Sequence, residues 1–150
     1  MKILLLRLVL TLVLVLPAAP VLRAQEKHEH KEPETELGKH MEKLNGAWRK
    51  LRKQAADPAS NVSSLELVAA IRAGLEKAVT LTPIRAQDVP DADRAKYIES
   101  YRTKMKEFIG LVDKLEAALK AGDNPAADAL VQKMGGTQRE DHKEFRRPDE

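Results

Sequence analysis

Apolar residues recur every three or four positions through most of the chain that follows residue 34. In the first such segment, Leu37, Met41, Leu44, Trp48 and Leu51 are separated by 4, 3, 4 and 3 positions. This spacing places the five side chains on one face of an α-helix, and burying that face requires other helices with matching faces. The alternating pattern of a β-strand does not occur after residue 24. The spacing therefore predicts an all-α fold.

Helix caps and helix breakers divide the apolar pattern into four segments. The first predicted helix covers 36–56, with Thr35 as N-cap, and the second begins at Ser63 in a capping box with Glu66 and stops at Thr82-Pro83. The third covers 91–121 and is ended by Gly122-Asp123. The fourth has Asn124 as N-cap and Pro125 as its first helical residue, and it ends at Pro148. Four amphipathic helices with mostly short connections predict an antiparallel up-down four-helix bundle.

The first 34 residues are expected to lie outside this bundle. Residues 1–24 combine a basic start, an apolar run from Leu8 to Leu16 and a small residue at Ala24, which is typical of a cleaved secretory signal peptide. An uncleaved anchor is the alternative, but the apolar run is shorter than the ~20 residues that a membrane span needs. Residues 25–34 are predicted to be a flexible polar leader, and residues 35–150 to be the bundle domain.

Signal cleavage also changes the charge of the chain. The full sequence has 26 Lys+Arg and 23 Asp+Glu, and three of the basic residues (Lys2, Arg7 and Arg23) lie in the signal. The exported chain is left with 23 of each, so the main support for a nucleic-acid-binding function disappears. The sequence contains no cysteine. Disulfides, thiolate metal sites and covalent haem attachment through C-x-x-C-H are therefore excluded.

Two side chains that can bind haem iron are expected at one end of the bundle. Met41 lies about one turn into the first helix, and His142 lies about one turn before the end of the last. Antiparallel helices bring these two levels together, and we expect the loop between the second and third helices at the opposite end. A thioether and an imidazole can serve as the axial ligands of a haem. Spacing alone leaves ordinary roles open, because methionine often fills cores and histidine often interacts with the C-terminal end of a helix dipole.

The segments around both residues resemble the cytochrome b-562 family, the exported b-type cytochromes. The run Leu37 to Asn45 is similar to the family's L-x-x-x-M-E-x-L-N segment in helix 1, and the run Thr137 to Arg146 is similar to its closing H-x-K/E-aromatic-R. The resemblance covers about residues 36–147. It implies a bundle that holds haem b non-covalently, with Met41 as the sixth ligand of the iron and His142 as the fifth.

The resemblance also implies the walls of a haem pocket. The residues expected to line it are Leu44 and Trp48 from the first helix, and Tyr101 and Met105 from the third. Arg146, one turn after the histidine, would pair with a haem propionate in a charge-assisted contact.

The sequence departs from the family pattern in three features. Gly135-Gly136 either lets the haem ring approach closely or loosens the fourth helix. Asp141 replaces an aromatic residue beside the ligand and would be costly if it were buried. Gln138 stands where relatives with c-type character have a basic or thiol-bearing residue.

The leading hypothesis is a periplasmic electron-transfer protein with one non-covalent haem b. The alternatives are a cofactor-free periplasmic bundle that acts as a binding or stress protein, and a metal-binding bundle that uses His28, His30 and His40. An enzyme is not expected, because the sequence contains no Ser/His/Asp arrangement, no H-E-x-x-H and no phosphate-binding glycine loop. We expect redox proteins as partners, no nucleic acid, no membrane after signal cleavage, and a monomer or weak dimer.

Overall fold

The computed structural model describes residues 35–147, which form an antiparallel four-helix bundle. The helices are α1 (Glu36–Gln54), α2 (Asn61–Ala78), α3 (Asp91–Lys120) and α4 (Asn124–Phe145), with short 3-10 turns at Pro58–Ser60 and Ile84–Asp88 and no strand within these residues. Each helix packs against the next one along the chain. The predicted all-α bundle is thus confirmed. The predicted signal peptide (1–24) and leader (25–34), with His28 and His30, lie outside the described residues.

The start of α1 and the end of α3 are set by the residues that the sequence predicted. The hydroxyl of Thr35 accepts a hydrogen bond from the backbone N–H of Gly38 at 3.0 Å, which satisfies one of the free donors of the first turn. At the other end, Gly122 adopts φ +72°, the left-handed conformation that commonly follows a helix and that glycine adopts without strain. Both predictions are confirmed.

The starts of α2 and α4 differ from their predicted positions. α2 begins at Asn61 instead of Ser63, and the Ser63 hydroxyl donates to the carbonyl of Ser60 at 3.0 Å, so the predicted capping box is wrong. The N-cap of α4 is Asp123, whose carboxylate accepts from the N–H of Ala126 at 3.0 Å. Sequence reasoning assigned that role to the next residue, Asn124.

Asn124 is instead buried, and its side chain links three helix ends through hydrogen bonds that we call the Asn124 clasp. Its side-chain amide donates to the carbonyl of Ala55 at 2.9 Å and to the side-chain oxygen of Asn61 at 2.7 Å. Ala55 caps the end of α1, where the last carbonyls lack donors within the helix. The clasp therefore satisfies a buried polar group while it joins the end of α1 to the starts of α2 and α4.

Most of the large side chains that are fully buried lie in the half of the bundle that contains this clasp. Leu51, Val68, Val112, Leu115, Leu119 and Met134 are fully buried there. Towards the opposite end, Leu37, Met41, Leu44, Met105 and Phe108 are only partly buried. The bundle is thus closed at the end with the clasp and open at the end where α1 begins.

The loop between α2 and α3 (residues 79–90) lies at this open end. Arg85 donates from Nη1 to the backbone carbonyls of Lys143 at 2.7 Å and Arg146 at 3.0 Å, both at the end of α4. The expectation that this loop is at the opposite end from His142 is wrong. In an up-down bundle the chain reverses at every connection, so the start of α1, this loop and the end of α4 share one end.

Replacing Asn124 tests the clasp. We expect Asn124→Ala to lower the free energy of unfolding by about 2 kcal/mol, because it leaves the buried Ala55 carbonyl without a donor. Urea denaturation of the cofactor-free protein measures this change. The control is Gln132→Ala, which removes an exposed side-chain bond in the same helix and should change stability by less than about 0.5 kcal/mol. Equal effects of the two substitutions would contradict the assignment.

Candidate functional site

The open end of the bundle contains a cavity of about 740 Å³. All four helices and the α2–α3 loop contribute side chains to its lining. Its volume lies within the range of sites that bind small molecules and cofactors, ~300–1,000 Å³. The cavity exists because the apolar faces of the helices are only partly covered at this level.

All seven residues predicted from the sequence as haem-site residues line this one cavity. They are Met41, Leu44, Trp48, Tyr101, Met105, His142 and Arg146. Met41 is half-buried on α1, and His142 is exposed on the last turn of α4. The structure thus brings the two candidate ligands to a single cavity from two different helices. Met105 also lines the cavity, so it is the second methionine whose sulfur could reach a cofactor there.

Two buried aromatic residues form part of the cavity wall. Tyr101 is 3% exposed and donates its hydroxyl to the carbonyl of Ala78 at 3.1 Å. Burial raises the pKa of Tyr101 to about 12, so its hydroxyl stays protonated and keeps this bond at neutral pH. Trp48 is 5% exposed, and its buried indole N–H has no hydrogen-bond partner among residues 35–147. The wall is therefore aromatic, with one donor still unsatisfied.

Gly74 on α2 leaves room for the side chain of Leu44, and sequence reasoning did not identify it. A Cβ atom at Gly74 would lie 2.5 Å from Cδ2 of Leu44, too close for the leucine to remain in place. The absent side chain therefore leaves the space that Leu44 occupies. A glycine in a helix interior costs about 1 kcal/mol relative to alanine, and that cost was the available signal in the sequence.

The two adjacent glycines of α4 do not interrupt the helix, which continues from Asn124 to Phe145. Gly135 is buried, and a Cβ there would lie 3.9 Å from Cζ2 of Trp48, an ordinary contact distance. At Gly136 the nearest such atom belongs to Arg139, at 4.0 Å. Neither glycine is required for helix packing within the described residues.

Charged side chains surround the mouth of the cavity. Asp141 is partly buried, and burial raises the pKa of its carboxyl group while the charge of Lys104 opposes the shift. The free-energy cost of placing this carboxylate beside His142 is smaller than that of a fully buried one, because Asp141 is only partly buried and the charge of Lys104 is nearby. Lys39, Lys104, Arg146 and Arg147 supply positive charge to the lining. Because these four cations outnumber the acids Glu42 and Asp141 in the lining, its net charge is positive, which favours carboxylate groups in a bound molecule.

The structure gives little support to a separate metal site. His40 is partly exposed, with Nε2 4.0 Å from a carboxylate oxygen of Glu36. Among residues 35–147, no three His, Asp or Glu side chains are grouped so that they could hold a metal ion. Within this part of the chain, the candidate iron ligands Met41 and His142 line the cavity at the open end of the bundle.

Fold and cavity together define an all-α bundle with a cofactor-sized site between its helices. The family model of cytochrome b562 matches residues 36–146, and the chain belongs to this family. The family binds b-type haem non-covalently, and its members are electron-carrying haem proteins of the periplasm. Comparisons with curated proteins and with solved structures gave no significant match. None of the helices within residues 35–147 is long and apolar enough to cross a membrane.

The side chains around the cavity fit the chemistry of a haem. A thioether and an imidazole are available as axial donors, aromatic and aliphatic groups form the walls, and cations at the mouth match the propionates. The absence of cysteine from the sequence requires the haem to be held without thioether bonds.

Gly74 provides a test of the shape of the cavity. We expect Gly74→Ala to push Leu44 towards the cavity and weaken haem binding roughly tenfold, since overpacking a filled site typically costs about 1–3 kcal/mol. The matched control is Gly110→Ala, because a Cβ there meets no atom within 4 Å. Absorbance titration of the cofactor-free variants with haem measures both affinities. Equal affinities would show that Leu44 does not depend on Gly74.

Proposed function

We propose that this protein binds one haem b between Met41 and His142 and carries single electrons in the periplasm. The observation that carries the proposal is that both donors, on α1 and α4, line the same cofactor-sized cavity in a member of a haem-binding family. When bound, the haem supplies the one-electron chemistry. The protein contributes binding, orientation and the electrostatic environment.

The two ligands would define what kind of haem protein this is. With Met41 and His142 both holding the iron, no position on it would remain for oxygen or a substrate. The thioether favours the reduced iron and raises the reduction potential relative to ligation by stronger donors. Such a site suits electron transfer and disfavours catalysis at the iron.

The remaining lining residues have roles that follow from their chemistry. Leu44, Trp48 and Met105 would exclude water from the faces of the ring, and Tyr101 would hold its part of the wall in place through the bond to Ala78. Arg146, one turn beyond His142, would pair with a propionate. Export to the periplasm would follow from the predicted signal peptide at residues 1–24.

Replacing the two candidate ligands tests the proposal. We expect Met41→Leu to convert the low-spin spectrum of the haem-loaded protein to a high-spin or mixed one, because leucine keeps the volume and removes the sulfur. Met105→Leu, on the same cavity, is the matched control and should keep the low-spin spectrum. We expect His142→Ala to lower haem affinity by at least roughly 100-fold, about 2.7 kcal/mol, and His40→Ala to leave it unchanged.

Visible spectra and haem titrations of the exported protein measure these effects. Unchanged spectra in both Met41→Leu and His142→Ala would show that the ligands are other residues. Failure of the wild-type protein to bind supplied haem would instead favour the cofactor-free bundle.

A further inference from the structure

The last turn of α4 carries both His142 and a set of backbone carbonyls that the helix cannot pair. The N–H of Arg146 donates to the carbonyl of His142 at 3.0 Å, and this is the last backbone bond of the helix. The carbonyls of Lys143 and Glu144 follow it, beyond the reach of any further helical N–H. Such helix ends fray unless other groups satisfy these acceptors.

Side chains from two other elements satisfy these carbonyls. Arg85, on the α2–α3 loop, donates to the carbonyls of Lys143 at 2.7 Å and Arg146 at 3.0 Å. Tyr97, on α3, donates its hydroxyl to the carbonyl of Glu144 at 2.9 Å. The guanidinium of Arg85 also places a positive charge at the negative end of the helix dipole, which is favourable.

The same turn is fixed by packing and by an ion pair. The ring of Phe145 lies 5.3 Å from that of Tyr97 and 5.5 Å from that of Tyr101, measured between centroids. Just beyond the helix, Arg147 binds the carboxylate of Asp88 through two bonds of 2.7 and 2.6 Å. The α2–α3 loop thus holds the end of α4 from one side while α3 holds it from another.

We propose that Arg85 is a positioning residue for His142. The inference rests on the proposed function, in which His142 is an axial ligand. His142 is exposed, and the backbone of its turn sets the position from which the imidazole reaches the cavity. Arg85 fixes that backbone one and four residues after the histidine. Without this cap the last turn would open more often, and each opening would carry the imidazole away from the iron.

Two variants and a matched control test this role in the full exported chain. Arg85→Ala removes both bonds to the helix end, and Tyr97→Phe removes one bond while keeping the ring against Phe145. Arg102→Ala removes the same type of side chain from α3, where its nearest ion-pair distance is 4.0 Å, to Glu99. The two measurements are the haem dissociation rate with excess apomyoglobin as acceptor, and hydrogen exchange of the Arg146 amide in the cofactor-free protein.

We expect Arg85→Ala to speed haem dissociation and Arg146 exchange roughly tenfold each, the loss expected for a charge-assisted bond. Tyr97→Phe should shift both rates a few-fold in the same direction, whereas Arg102→Ala should leave them at wild-type values. A dissociation rate in Arg85→Ala equal to that of Arg102→Ala would overturn the positioning role, even if Arg146 exchange increased.

The outcomes separate this inference from the proposed function. If the wild-type protein binds haem through His142 and Arg85→Ala dissociates at the wild-type rate, only the positioning role is lost. If His142→Ala retains wild-type spectrum and affinity, the ligand assignment is wrong and the positioning role falls with it. Should Arg85→Ala fail to fold, Arg85→Met decides between the same results, because it keeps the apolar stem of the side chain and removes the guanidinium.

Discussion

Uneven packing along the bundle axis is the constraint on which the site depends. The fully buried residues Leu51, Leu115 and Met134 lie towards the end where Asn124 joins three helix ends. In the other half, Leu37, Met41 and Leu44 of α1 and Met105 and Phe108 of α3 stay partly exposed and line the cavity. The same apolar stripes continue into the open half, where they become the walls of a cavity. A uniformly packed bundle of this length would have no room for a cofactor.

The open end needs other means of stabilisation, and polar contacts provide them. Arg85, Tyr97 and the ion pair between Asp88 and Arg147 connect the end of α4 to the α2–α3 loop and to α3. Hydrogen bonding to Arg147 holds the pKa of Asp88 below its ordinary value, so this ion pair persists through neutral pH and weakens only in acid. These contacts leave the cavity open while they hold the helix that carries His142.

Local sequence signals predicted the fold well. The spacing of Leu37, Met41 and Leu44, the cap at Thr35 and the glycine at position 122 each depend on residues within one or two turns. The residues expected around the cavity also line it, because the family resemblance, which covers about residues 36–147, fixed their register. The capping box at Ser63 was wrong because Pro58–Ser60 forms a 3-10 turn and α2 starts directly after it. The cap of α4 was displaced by one residue because the burial of Asn124 gives that side chain a different partner.

Contacts between residues far apart in sequence could not be predicted in this way. The bonds from Arg85 span about sixty residues, and no local pattern distinguishes this arginine from the exposed basic residues of α1. Likewise, the space that Gly74 leaves for Leu44 depends on the distance between two helices, which periodicity does not give. The position of the α2–α3 loop, by contrast, was predictable from the sequence. The antiparallel order of four helices already places this loop at the end of the bundle that carries His142.

Proton NMR of the reduced, haem-loaded protein tests most directly whether Met41 holds the iron together with His142, as we propose. With methionine methyl groups labelled with ¹³C, the methyl of a methionine whose sulfur binds low-spin iron moves far upfield through the ring current. We predict one such signal, which is absent from Met41→Leu and retained in Met105→Leu. No shifted methyl signal, or a signal lost instead in Met105→Leu, would contradict the assignment.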